Sequence, residues 1–255
     1  MSQSPFQIIP VIDLLNGQVV HAVGGRRAYY QPIQSKLHAT SEPIPIARAI
    51  RAALGLPTLY FADLDAIAGA PPRLDIYCEL IATRFHLWVD AGVRDAETVA
   101  PLLELDPAFT TIIAGLETLR GPRELTKIVR MAGVERIVFS LDLFEKRPRM
   151  TAAKAWGTED SLELAQLAID CGVHQLLILD LARVGTGRGL GSHDLIARIR
   201  DARPSVQLTA GGGISRIEEV LDLRDVGANG VLIGSALHDG RIGIRELEQI
   251  AAIGH

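Results

Sequence analysis

The chain has 255 residues, 48% hydrophobic and 22% charged, with a formal net charge of -4; this globular composition has no basic surplus to neutralise a nucleic-acid backbone, which excludes that partner class. Its two cysteines, Cys78 and Cys171, stand far apart without CxxC or Cys/His spacing, so neither a disulfide framework nor a zinc site is expected and a reducing cytoplasm fits. The seven histidines are scattered, giving no metal motif, and the opening "MSQSPFQIIPVIDLL" lacks the basic start of a signal peptide and the apolar length of a membrane span.

From there, short apolar, β-branched runs alternate with amphipathic helical stretches along the whole chain. The first strand is expected over 7–13, ending at Asp13. The connection after it, "HAVGGRRAYYQPIQSKLHAT", is long, and long loops in compact domains are often lids. Its Gly24, Gly25, Arg26, Arg27, Tyr29 and Tyr30 offer hinges, anion contacts and a stacking surface. The helix "EPIPIARAIRAALG" precedes a second strand over 58–63 and the segment "DLDAIAG", where Asp63 either orients substrate hydroxyls or caps a helix. A third strand over 85–90 runs into "VDAGVRD" and the helix "DAETVAPLLELD". A fourth, over 110–114, runs into Gly115 and "GPRELTKIVRMAG".

The fifth strand, 136–142, ends at Asp142 and is followed by "LFEKRPRMTAAKAWG" with Lys146, Arg147, Arg149 and Trp156. A buried lysine there, or Lys154, would suit Schiff-base chemistry; an exposed one is simply charged. After "TEDSLELAQLAIDCG" comes a sixth strand over 175–180, ending at Asp180, and then "LARVGTGRG". That glycine-and-arginine loop, with Arg183, Gly185, Thr186 and Arg188, is either an anion clamp or a solvated excursion. "SHDLIARIRDA" and "SRIEEVLDLRDVG" flank a seventh strand over 206–210, and an eighth covers 230–234.

Eight β-then-α units in a chain of this size predict an α/β fold, a (β/α)8 TIM barrel, as one domain over 1–255. Four motifs recur in order. "IIPVIDLLNG" pairs with "IVFSLDLFEK", and "LYFADLDAIAG" with "LLILDLARVGTG"; "FHLWVDAGVRDAETV" pairs with "VQLTAGGGISRIEEV", and "TTIIAGLETL" with "NGVLIGSALHD". The barrel is therefore read as two half-barrels, about 1–130 and 131–255. Gly211, Gly212 and Gly213 after the seventh strand, with Gly234 and Ser235 after the eighth, sit where barrels commonly hold phosphate on bare main chain. In the first half the matching stretch holds Asp90, Gly92, Arg94 and Gly115, with mixed electrostatic signs for a second anion site. Asp13 and Asp142 end strands on opposite sides of the ring, a placement that lets two carboxyls divide the roles of base and acid.

Together, "IIPVIDLLNGQVV", "YFADLDAIAG", "LTAGGGIS" and "VLIGSALHDGRI" resemble the HisA/HisF family of histidine biosynthesis over essentially the whole chain. The resemblance implies half-barrel duplicates holding a phosphoribosyl-bearing substrate. It implies a cofactor-free, Amadori-type isomerisation of an aminoaldose to an aminoketose, with Asp13 and Asp142 matching the paired proton-transferring aspartates. The family pattern on the sixth strand's loop is Asp-Gly-Thr, and this chain carries Val184 in place of its acid. A valine has no proton to give, so either Asp180 or Asp142 takes that role or the reaction differs. Other readings are a diverged paralogue in cofactor biosynthesis, like family members of methanogens and methylotrophs, a lyase or condensing enzyme working through a lysine imine, and a non-catalytic phosphate-ligand binder or glutaminase partner. The expected partner is a small phosphorylated metabolite, and the oligomeric state is left open.

Overall fold

The computed structural model describes residues 6–187, 189 and 191–253; Arg188 of the glycine-and-arginine loop lies outside them. Eight parallel strands form the wall: β1 (Gln7–Leu15), β2 (Thr58–Asp63), β3 (His86–Asp90), β4 (Thr110–Gly115), β5 (Ile137–Phe144), β6 (Gln175–Asp180), β7 (Gln207–Gly211) and β8 (Gly230–Ile233). Each pairs with its successor, and β8 closes on β1 through Gln7 to Pro10 against Gly230 to Ile233. Helices α1 (Pro43–Leu54), α2 (Leu74–Ala82), α3 (Ala96–Leu103), α4 (Pro122–Ala132), α5 (Ser161–Asp170), α6 (His193–Ala202), α7 (Ile217–Asp225) and α8 (Ile244–Ile253) surround it. This is the (β/α)8 TIM barrel that the alternation of patterns predicts.

The period-2 alternation of side chains along each strand divides the apolar residues between two cores. Ile9, Tyr60, Trp88, Ile113, Val138, Leu177 and Leu232 point inward and fill the barrel. Their neighbours Ile12, Phe61, Leu87, Ile112, Phe139, Ile178 and Val231 belong to the larger core between barrel and helices. Phe61 and Tyr77, edge to face at 5.5 Å, join β2 to α2 within that outer layer. Helix starts are fixed by local chemistry. The Asp160 carboxylate accepts from the amides of Leu162 and Glu163 at 2.9 and 3.0 Å, so α5 begins at Ser161 and not at the start of "TEDS". Asp95 and Thr98 form a reciprocal cap for α3.

One expectation needs correction. The connection after β1 is not loop throughout: Asn16 and Gly17, both at positive φ (51° and 76°), turn the chain back so that Gln18–His21 pairs antiparallel with β1. Gln31–Pro32 then pairs with that segment. The same device follows β5, where Glu145 and Lys146 at φ 51° and 66° lead into Arg147–Pro148, paired antiparallel with β5. Two central residues at positive φ suit the right-handed strand twist of a tight hairpin. The hairpins occupy corresponding places in the two halves, as a half-barrel repeat requires. Among the described residues no helix is long and apolar enough to cross a membrane.

Candidate active site

At the C-terminal mouth of the barrel lies a cavity that opens to solvent. Strand parity decides which acids reach it. Asp13, Asp90 and Asp142 are in phase with the inward residues Val11, Trp88 and Val138, and all three line the cavity. Asp63 and Asp180 follow the outward residues Phe61 and Ile178, and neither lines it. Asp63 is fully buried and structural. Its carboxylate accepts from the Ala66 amide at 3.1 Å, the Arg73 amide at 3.0 Å and the Tyr77 hydroxyl at 2.5 Å, tying α2 to the end of β2. Of its two sequence readings, the capping one describes its contacts. Asp180 is buried, pairs with Arg183 at 3.4 Å, and is turned into the loop after β6; burial pushes its carboxyl up.

Asp142 is 6% exposed; Ser140 Oγ donates to its Oδ1 at 2.6 Å and the Glu117 amide to its Oδ2 at 3.1 Å. Loss of water pushes its carboxyl up to about 7, with the charge of Asp90 adding to the rise and the Ser140 hydroxyl opposing it. Asp13, half-buried, is likewise pushed up to about 7, by burial first and by Asp90 next, against the pull of Arg27. Asp90 is itself raised by burial; it accepts from the Gly92 amide at 3.2 Å and from the buried Tyr60 hydroxyl at 2.9 Å. Burial thus pushes two carboxyls that face one space toward neutrality, which is the arrangement an acid-base pair requires.

The rim after β7 and β8 carries Gly212, Gly213, Gly234 and Ser235 into the cavity. Gly211 faces inward below the rim without lining the cavity itself: a Cβ there would stand 2.9 Å from Leu179 and 3.2 Å from Leu232, which do line it. Gly212, at φ 111°, has no room for a side chain, since a Cβ there would stand 2.4 Å from the Asp180 carbonyl oxygen. At Gly213 it would stand 2.8 Å from that of Arg183. Glycine is thus demanded by the loop after β6 packed against this rim, besides leaving main chain bare at the cavity. Ser235 opens the short helix Ser235–His238, whose leading amides have no carbonyl one turn behind them. Arg241, absent from the sequence reading, donates to Ser235 Oγ at 3.3 Å while paired with Asp239 at 2.7 Å. His238, also missed, is buried beside the cavity with Nδ1 3.0 Å from Ser35 Oγ, and burial lowers its ring to about 4, so it is neutral.

The first-half anion site is not assembled as the motif suggested. Gly115 lines the cavity, but Gly92 and Arg94 do not. The Arg94 guanidinium is committed to the carbonyls of Gly92 and Ile67, both at 2.8 Å. A Cβ on Gly92 would lie 2.5 Å from Ile67 Cα, so that glycine serves packing. Among the long-loop residues, Gly25, Arg27 and Tyr30 line the cavity and Arg26 is exposed beside it. After β6, Val184 and Gly185 line it, while Thr186 donates to the Arg183 carbonyl at 2.8 Å and Arg183 to that of Gly189 at 3.1 Å. The two loops meet over the mouth: the Gly24 amide donates to the Val184 carbonyl at 2.9 Å, and a Cβ on Gly185 would stand 2.0 Å from the Ala22 carbonyl oxygen. Lys146 and Lys154 are exposed and outside the cavity. Among the described residues no group of three or more His, Cys, Asp or Glu is placed to hold a metal ion.

A family model described as "Histidine biosynthesis protein" matches residues 7–243. The chain belongs to this family. Among similar proteins is a Leuconostoc mesenteroides 1-(5-phosphoribosyl)-5-((5-phosphoribosylamino)methylideneamino) imidazole-4-carboxamide isomerase. That relative is 29% identical to this chain over 248 residues, covering 95% of this chain and 99% of its own. The isomerase of the same name from Bacteroides thetaiotaomicron is 28% identical, covering 94% and 98%. An uncharacterized protein of Methanocaldococcus jannaschii is 31% identical, covering 94% and 97%. The HisA/HisF resemblance of the motifs is thereby borne out over nearly the whole chain, and the chain is a HisA/HisF-family TIM barrel.

Proposed function

We propose that this protein is a HisA-like sugar-phosphate isomerase that converts an aminoaldose to an aminoketose on a phosphoribosyl or related phosphorylated substrate. The observation that carries the reading is the pair Asp13 and Asp142, which face one cavity from opposite strands with both carboxyls pushed to about 7. Protonated Asp142 gives its proton to the ring oxygen as the C1–O bond breaks, and the nitrogen lone pair closes a C=N bond. Ionised Asp13 then takes the proton from C2; the electron pair moves into a C1–C2 enolamine, which tautomerises to the ketone as C1 gains a proton. Val184 stands at the cavity where the family pattern has an acid, so Asp142 serves as the ring-opening acid. The bare rim at Gly212, Gly213, Gly234 and Ser235, with Arg241 beside it, seats the phosphate.

The relatives named as isomerases support this reading. The position of both lysines outside the cavity counts against a lysine imine. The test is turnover of a singly phosphorylated aminoaldose by purified protein, with complementation of a histidine auxotroph lacking the isomerase asking separately whether a substrate with two phosphoribosyl groups is accepted. Conversion that disappears in Asp13→Asn and Asp142→Asn supports the reading. Full activity in those variants refutes it, and heat protection by phosphate without any turnover favours the non-catalytic binder.

A further inference from the structure

The two halves of the barrel repeat, so each rim can be read against the other. In a closed ring of eight strands, β3 and β4 face β7 and β8. Aligned through the repeat, Asp90 stands where the second half has Gly211, Gly92 where it has Gly213, and Glu117 where it has Ala236. An acid thus enters the first rim at two positions where the second carries a small residue. Its amides are also used. The Gly92 amide donates to Asp90 Oδ1 at 3.2 Å, the Glu117 amide to Asp142 Oδ2 at 3.1 Å, and the Leu116 amide to the Ser140 carbonyl at 2.8 Å. Two of these amides are thus taken by the chain's own carboxylates and the third by a main-chain carbonyl, where an external anion would otherwise bind. The two arginines that line the cavity are paired here as well, with Arg27 3.6 Å and Arg149 3.2 Å from the Glu117 carboxylate.

We propose that the ligand of this cavity carries a single phosphate, seated on the second-half rim, and that its other end presents O–H or N–H donors to Asp90 where a second phosphate would otherwise sit. The inference rests on the phosphate reading of the second-half rim given above. A second phosphate would find no unspent amide among these three and would meet Asp90 and Glu117, a like-charge encounter that works against binding. A hydroxyl or amine suits the site, because a carboxylate has acceptor positions beyond the two that the Gly92 amide and the Tyr60 hydroxyl fill in Asp90. Asp90 is thus a specificity-determining residue, held in its aim by Tyr60.

Calorimetric titration of the full chain with ribose 5-phosphate and with ribulose 1,5-bisphosphate tests this. The wild type binds the monophosphate at least as tightly as the bisphosphate, and Asp90→Gly moves the preference toward the bisphosphate by about tenfold or more. Asp90→Asn, which keeps the size and an acceptor for Tyr60, moves it the same way by less and guards against a folding defect in the glycine variant. A wild type that prefers the bisphosphate by tenfold, or a ratio unmoved in both folded variants, overturns the proposal. Ser235→Asp separates the two readings: it abolishes binding of both sugars if phosphate sits on the second-half rim. Undiminished binding there removes the phosphate reading, while the response to Asp90 still reports on the first rim. If neither sugar binds the wild type, both fall.

Discussion

Asp142→Asn is expected to make the folded chain more stable, and more so as pH rises. The carboxyl goes from 3.8 to about 7 because it is buried, so the folded chain holds a proton that the unfolded chain releases. A group of that kind lowers stability as pH rises past its unfolded value, and the loss stops growing above about 7. Asparagine removes the titration and keeps the contacts: its oxygen accepts from the Glu117 amide and its NH2 donates to Ser140 Oγ. Asp142 is 6% exposed, so solvent screens little of the effect. The gain is about 4 kcal/mol at pH 8 and about 2 kcal/mol at pH 5. In a chain of this size it corresponds to a Tm higher by about 8–15 °C at the upper pH and about half of that at the lower. Thermal melts of wild type and variant from pH 5 to 8.5 measure it directly. A Tm difference that stays constant or narrows with rising pH would refute the claim that burial holds this carboxyl near 7.

Asp13→Asn lowers kcat/KM by about 10²–10⁴-fold, and wild-type kcat/KM traces a bell centred near neutral pH, because one carboxyl must be ionised and the other protonated; a flat profile between pH 5 and 9 contradicts the pairing. Gly212→Ala costs more than about 3 kcal/mol, since its φ of 111° and the Asp180 carbonyl 2.4 Å from a Cβ leave no relaxed arrangement; an unchanged urea midpoint disproves that account. Lys146→Ala and Lys154→Ala keep wild-type turnover, and borohydride added with ribulose 5-phosphate leaves the protein mass unchanged; a trapped adduct would restore the imine chemistry.

The strands were legible because an eight-fold alternation of β-branched runs and amphipathic helices admits few other architectures. All eight lie within two residues of their expected ends, as at 58–63 and 175–180. The site was only half legible, and the reason is parity. Asp13, Asp63, Asp142 and Asp180 look alike at strand ends, yet a strand sends alternate residues to opposite faces. Counting from the apolar residues of each run would have separated the inward Asp13 and Asp142 from the outward Asp63 and Asp180, and would have marked Asp90 as inward-facing. Arg94 could not be judged this way, because its guanidinium is taken by carbonyls of the packed loops. Nor could Arg241 and His238, which lie beyond the last strand in a segment with no periodic signal. The hairpin after β5 was hidden because Glu145 and Lys146 take a backbone shape usually announced by glycine or asparagine, whereas the one after β1 turns at Asn16 and Gly17, a signal that the sequence does carry.

The bond from Gly24 to Val184 and the absence of space at Gly185 have a consequence for how this barrel can vary. Segments separated by some 160 positions in the chain share one junction above the cavity. A bulky replacement in the later arm cannot be absorbed where it occurs and must be answered by a shift of the earlier arm at Ala22. Swapping either arm alone for that of a relative should therefore disturb both, and a graft intended to change reactant preference has to carry the two together.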